Sequence, residues 1–133
     1  MIVDSSAVVA VLLNEPDAAE LSRAMAAANR CRISAVNFVE AAIVIDRSRD
    51  PIASRRFDEF LYTAGIVVEP VTAEQARIAR EAYRDFGKTS GHPAKLNLGD
   101  CFAYALAKVQ AEPLLFKGGN LIHTDIVPAS SAR

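Results

Sequence analysis

Met1-Ile2-Val3-Asp4-Ser5-Ser6-Ala7-Val8-Val9-Ala10-Val11-Leu12-Leu13 changes character at its fourth residue. Met1 to Val3 is a short unbroken apolar run, as expected of a strand buried on both faces. From Ser5 to Leu13 the apolar residues are too dense for alternation, and a helix is expected to start directly after Asp4. A buried strand that runs straight into a helix leaves its acid at the strand's carboxyl end. In an open parallel sheet, chemistry gathers beyond those ends.

Working outward, the same succession repeats. Asn14-Glu15-Pro16 is a break, with Pro16 placed for the first turn of a helix over 17–28. Cys31 to Ser34 reads as a second strand, and Ser34 as the cap of a helix over 35–47 with Val36, Phe38, Val39, Ala42, Ile43 and Ile45 on its apolar side. Pro51 opens a helix that Gly65 ends. Ile66-Val67-Val68 is a strand, and Thr72 caps a helix over 73–86. Gly87 to Pro93 is a loop. A helix over 99–110 follows, then a strand at Leu114-Leu115-Phe116, a turn at 117–120 and a last short strand at Ile126-Val127. Short apolar strands separated by helices predict an α/β fold, with a central parallel sheet of short strands flanked by helices on both faces. No repeat, low-complexity tract or linker divides the chain, so residues 1–133 are expected to form a single domain.

The chain of 133 residues is 51% apolar and 23% charged, sufficient for a packed core without staples. No run approaches the roughly 18 apolar residues of a membrane span. The start carries no basic leader, so a cytoplasmic protein without a secretory signal or membrane anchorage is expected. Cys31 and Cys101 form no metal-type pair and are expected to pack as small apolar residues. Residues Pro128 to Arg133 are expected to fray. A formal net charge of −1 argues against non-specific coating of nucleic acid, so any contacts with a nucleic acid would have to be local.

Three acids resist an ordinary reading. Asp4 and Asp100 each stand at a helix start, where an acid can serve as a cap. The free N–H groups and positive dipole end there also help to hold a carboxylate ionised. Glu40 lies mid-helix with Val36, Ile43 and Val44 as its helical neighbours. An ionised Glu in apolar company needs a cation, from an arginine or from a metal. If the fold brings the three together, they suit Mg2+ or Mn2+, hard ions that take oxygen ligands, keep several waters and can activate one of them against a phosphate.

Four segments carry a family resemblance: Met1-Ile2-Val3-Asp4-Ser5-Ser6-Ala7; Ser34-Ala35-Val36-Asn37-Phe38-Val39-Glu40; Leu96-Asn97-Leu98-Gly99-Asp100-Cys101-Phe102-Ala103-Tyr104-Ala105-Leu106-Ala107; and Pro113-Leu114-Leu115-Phe116-Lys117-Gly118 with His123-Thr124-Asp125-Ile126. In this order the chain resembles the PIN-domain family, specifically VapC-type toxins of toxin–antitoxin pairs. The resemblance implies a PIN-like fold and a metal-dependent endoribonuclease that hydrolyses RNA phosphodiester bonds with a metal-activated water. By position it makes Asp4, Glu40 and Asp100 the core acids. Asp4 and Asp100 are then direct Mg2+ or Mn2+ ligands, Glu40 binds the metal through water or orients the attacking water, and Ser6 steadies Asp4. It further implies a VapB-type antitoxin and a homodimer. One departure stands out: where the family commonly carries an acid followed by Phe, this chain has Gly119-Asn120-Leu121. Asn120 offers only a carbonyl oxygen, and Asp125 is the nearest acid that could compensate, unless it is simply a turn residue.

Lys88, His92 and Lys95, in the loop before Asp100, and Lys117, after a strand, are RNA-binding candidates or ordinary solvated side chains. The missing fourth acid also leaves a second reading, a catalytically weakened PIN fold that acts as an RNA- or antitoxin-binding module.

Overall fold

The computed structural model describes residues 1–129. Four strands, β1 (Ile2–Val3), β2 (Cys31–Ser34), β3 (Ile66–Glu69) and β4 (Leu114–Leu115), form one sheet in the order β3-β2-β1-β4. All pairs are parallel, with Ile2 opposite Arg32 and Leu114, and Cys31 opposite Ile66. Six helices connect and cover them: α1 (Ser5–Leu12), α2 (Ala18–Ala27), α3 (Ala35–Asp46), α4 (Pro51–Thr63), α5 (Ala73–Phe86) and α6 (Leu98–Gln110).

The strand pleat sends neighbouring residues to opposite faces. Ile2 and Leu114 join a core with Ala79 and Ala82 of α5 and Cys101 to Ala107 of α6. Val3 and Leu115 join a second core with residues of α1, α2, α3 and α4. Helices thus cover both faces, as the runs of buried apolar strand residues predict. β1 is central, and both its residues are fully buried.

Local chemistry sets most boundaries. Ser34 accepts from the Val36 N–H, Asp50 from Ile52 and Thr72 from Gln75, each capping its helix, and Gly65 closes α4 at φ +65°. Cys31 and Cys101 are free and buried. Among the described residues no helix is long and apolar enough to cross a membrane.

Three expectations need correction. Pro16 lies in the turn before α2, whose first residue is Ala18. Val39 and Ile43 of α3 are about half exposed, at 50% and 54%; the helix buries Asn37, Ala41 and Ile45 instead. α3 is apolar nearly all round, so its spacing could not tell the covered side from the free one. Ile126-Val127 forms no strand. Its segment returns alongside β4, with the Leu114 N–H donating to Val127 O, the Ala129 N–H to Leu114 O, and a bridge at Pro128. Of the stretch expected to fray, residues 130–133 lie outside the described residues.

Candidate metal centre

Asp4, directly after β1, is the N-cap of α1, and its Oδ2 accepts from the Ser6 N–H at 3.0 Å. Capping engages only half the carboxylate: Oδ1 is buried with no hydrogen-bond partner. The side chain is 3% exposed, and burial pushes its pKa up to about 6, against the opposing Ser6 hydrogen bonds. The charges of Asp100 and Glu40 raise it further. Acids from two other segments therefore lie close enough to act on Asp4.

Glu40, half-buried on α3, has no arginine partner among the described residues; its Oε1 accepts from the Ser5 hydroxyl and from Asn37 Nδ2, both at 3.0 Å. Its carboxylate presses against the first turn of α6. A Cβ placed on Gly99 would stand 2.1 Å from both Glu40 oxygens, a distance no real contact tolerates. Glycine is what lets the acid approach the residue before Asp100. Asn37, fully buried, donates to Glu40 and also, at 3.0 Å, to the Gly99 carbonyl.

Asp100 is not the cap of α6. That role falls to Asn97, whose side chain accepts from the Asp100 N–H at 2.8 Å while Asp100 Oδ2 accepts from the Asn97 N–H at 3.0 Å. The reciprocal box fixes Asp100 in the first turn of α6, beside Glu40's contact with Gly99. Ser6 serves two elements: its N–H holds Asp4, and its hydroxyl accepts from the Lys117 N–H after β4 at 3.0 Å.

The remaining candidates divide. Asp125 is held elsewhere: Oδ1 accepts from the Tyr104 hydroxyl at 2.7 Å, and Oδ2 pairs with Lys108 at 2.9 Å, which lowers its pKa. Lys108 lies about 12 Å along α6 from Asp100, so Asp125 does not compensate for the missing acid. The Asp125→Asn protein is expected to lose about 1 kcal/mol of stability through the weakened tie to α6. Its Mn2+ affinity, measured by calorimetry, should equal that of the wild type. Asn120 is exposed at the start of the 3-10 turn Leu121–His123. Lys88 and Lys95 are exposed, whereas His92 accepts from the Ala94 N–H through Nδ1 and stacks edge-on against Phe86 at 4.9 Å. Lys117 is ion-paired with Glu15.

The donor set fits a hard divalent ion. Asp4 Oδ1 is a buried acceptor without a donor, and like charges surround it. Among the described residues no three His, Cys, Asp or Glu side chains are grouped so that together they could hold a metal ion. Mg2+ does not require such a group, since one or two carboxylates and several waters satisfy it.

Residues 1–127 match the family model described as PIN domain. This chain belongs to the PIN-domain family. It is 53% identical over 133 residues, the whole of both chains, to a Mycobacterium tuberculosis protein named Ribonuclease VapC28. In fold it resembles the Mycobacterium tuberculosis toxin VapC20, described as cleaving the sarcin-ricin loop, with a TM-score of 0.75, 16% identity and 95% of each chain covered. It also resembles a chain of a toxin–antitoxin complex from Klebsiella pneumoniae, with a TM-score of 0.69 and 14% identity over 90% of this chain and 88% of that one. At those identities the structural likeness speaks for the PIN-like fold alone.

Ser5, Asn37 and Gly99 are the site residues that sequence reading passed over. Each lies inside a segment that carries the resemblance, next to or one turn from an acid.

Proposed function

We propose that this PIN-domain chain is a VapC-type endoribonuclease, the toxin of a toxin–antitoxin pair, that hydrolyses RNA with Mg2+ or Mn2+ held by Asp4 and Asp100. The observation that carries the site assignment is Asp4: a buried carboxylate with one oxygen unpartnered and two further acids acting on it. A structural Asp in that position would satisfy both oxygens or be replaced by an apolar residue.

When bound, the ion supplies positive charge for the phosphate under attack and eases deprotonation of the attacking water. The protein's own tasks are positional. Asp4 presents its free oxygen from the end of β1. The capping box holds Asp100 at the start of α6, where the helix dipole favours a negative charge. Glu40 is placed by Ser5 and Asn37 to orient water or to bind the ion through it. Lys88 and Lys95 lie in the segment leading to α6 and guide the RNA backbone by charge, and His92 between them offers a ring hydrogen bond to it. Lys117, whose backbone N–H is held by Ser6 beside Asp4, is a further candidate for a phosphate contact. The intact acid trio supports an enzyme rather than a weakened binding module.

A VapB-type antitoxin and a second copy of the chain are the partners this reading carries, with the cytoplasm as its setting. Half-exposed Val39 and Ile43, on the helix that bears Glu40, suit a covered surface.

The test is to sequence RNA ends after expressing the wild type and Asp100→Asn side by side. Defined new ends are expected with the wild type alone. The same ends with Asp100→Asn would reject the assignment. A sharper probe of geometry is Gly99→Ala. The added methyl displaces Glu40's carboxylate, a flexible chain end, so stability should change by no more than about 1 kcal/mol. Cleavage should fall by about 10- to 100-fold, as when a supporting residue of a metal site is lost. Thermal denaturation and a fluorogenic RNA substrate separate the two effects.

A further inference from the structure

Asn37 is a fully buried side-chain amide on α3, whose other buried residues, Ala41 and Ile45, are apolar. Its Nδ2 donates to two acceptors, Glu40 Oε1 and the Gly99 carbonyl, each at 3.0 Å. Both partners are pure acceptors, so only the amide nitrogen can face them and the orientation of the group is dictated. Its Oδ1 is buried without a partner. An apolar residue at this position would leave no orphan carbonyl in the core, so stability alone does not account for an Asn here. What the amide provides is its donor.

Ser5 supplies a second donor to the same atom, Glu40 Oε1, at 3.0 Å. Ser5 follows Asp4 directly, and Gly99 directly precedes Asp100. One donor on Glu40 therefore comes from the helix start that carries Asp4, and the other, Asn37 on Glu40's own helix, also bonds the turn of α6 that carries Asp100. With Oε1 taken twice, Oε2 is the oxygen that no hydrogen bond occupies.

We propose that Asn37 is a positioning residue for the acidic site: with the Ser5 hydroxyl it clamps one oxygen of Glu40, and through the Gly99 carbonyl it ties that carboxylate to the turn of α6 bearing Asp100. The clamp turns three separately mounted acids into one rigid constellation and leaves Oε2 to face the ion or its water. It rests on the reading of Glu40 as a member of the metal site.

The test is a double-mutant cycle read by Mn2+ binding to the free protein and by steady-state cleavage of RNA. Asn37→Leu, close in volume, removes both donated bonds; Ser5→Ala removes the other donor from a half-buried position and guards against a folding failure of the first. Asn37→Leu is expected to raise the Mn2+ dissociation constant by about tenfold. Its kcat should fall by a similar factor, with KM for RNA unchanged. Ser5→Ala should shift the same quantities in the same direction by a smaller factor. In a Glu40→Ala background neither substitution should shift them further, because the group being positioned is gone. A purely structural role would lower the thermal midpoint and leave the Mn2+ affinity of the folded protein unmoved. Wild-type Mn2+ affinity in both single variants, or equal effects with and without Glu40, would overturn the proposal. If Glu40→Ala itself leaves Mn2+ binding and kcat unchanged, the proposal falls with the assignment of Glu40, and the single variants locate the failure there.

Discussion

Asp4→Asn is expected to reduce RNA cleavage by about a thousandfold or more, and to make the metal-free protein no less stable than the wild type at neutral pH. The two effects share one cause. Asp4 is 3% exposed and has an unpartnered oxygen amid like charge, so its ionised form is costly to the fold until a cation arrives. A pKa raised from 3.8 to about 6 corresponds to at most about 3 kcal/mol of destabilisation at neutral pH. Asparagine keeps an oxygen for the Ser6 N–H and turns an uncharged amide toward the neighbouring acids. It therefore relieves repulsion while it removes a metal ligand. Losing the several kcal/mol that a correctly held ion contributes to the transition state gives the loss of rate. Ordinary core substitutions lose both stability and activity; here the two should move apart, as they do where a site is strained for function. Chemical denaturation in EDTA and a single-turnover cleavage assay measure the pair.

The second large effect is on pH. The folded pKa of Asp4 lies above its unfolded value, so the proton is bound more tightly in the native state. The stability this contributes is fully present below about pH 3.8 and is lost as pH rises through about 6. The metal-free wild type should weaken by up to about 1.4 kcal/mol per pH unit within that window and level off above it. Asp85, Asp125 and Glu112 have lowered pKa values and contribute with the opposite sign, but below their ordinary values, so from pH 5 to 7 the difference between the wild type and Asp4→Asn reports Asp4. The Asp4→Asn protein should show no such decline there. Binding of Mn2+ requires the carboxylate, so its affinity should rise with pH over the same interval and its stabilising effect should grow. Denaturation midpoints from pH 4 to 8, with and without Mn2+, test the sign directly. A metal-free wild type that gains stability from pH 5 to 7 relative to Asp4→Asn would contradict it.

Much of this was legible in the chain. Asp4 and Asp100 were legible as candidates because a strand end and a helix start are fixed by local hydrophobic period and capping chemistry, and the family resemblance singled them out from ordinary caps. Glu40 stood out against Val36, Ile43 and Val44, whose apolar character left its charge unexplained. What local patterns could not show were partners chosen by packing. Asp125 pairs with Tyr104 and Lys108 only because the segment after β4 folds back along α6. Small polar residues such as Ser5 and Asn37 resemble caps or solvated positions until the elements opposite them are known. Gly99 carries no φ signature in the sequence, and its meaning lies in the absence of a Cβ beneath Glu40. The exposure of Val39 and Ile43 was hidden for a related reason: a helix apolar on every side does not say which side the rest of the chain will cover.

The arrangement of acids is most directly tested by an anomalous difference map from crystals of the wild-type protein equilibrated with Mn2+. The expected result is a peak within coordination distance of a free oxygen of Asp4 and of Asp100, with Glu40 bound directly or through one water. A peak elsewhere on the surface, or none at these residues at saturating Mn2+, would contradict the shared-ion site.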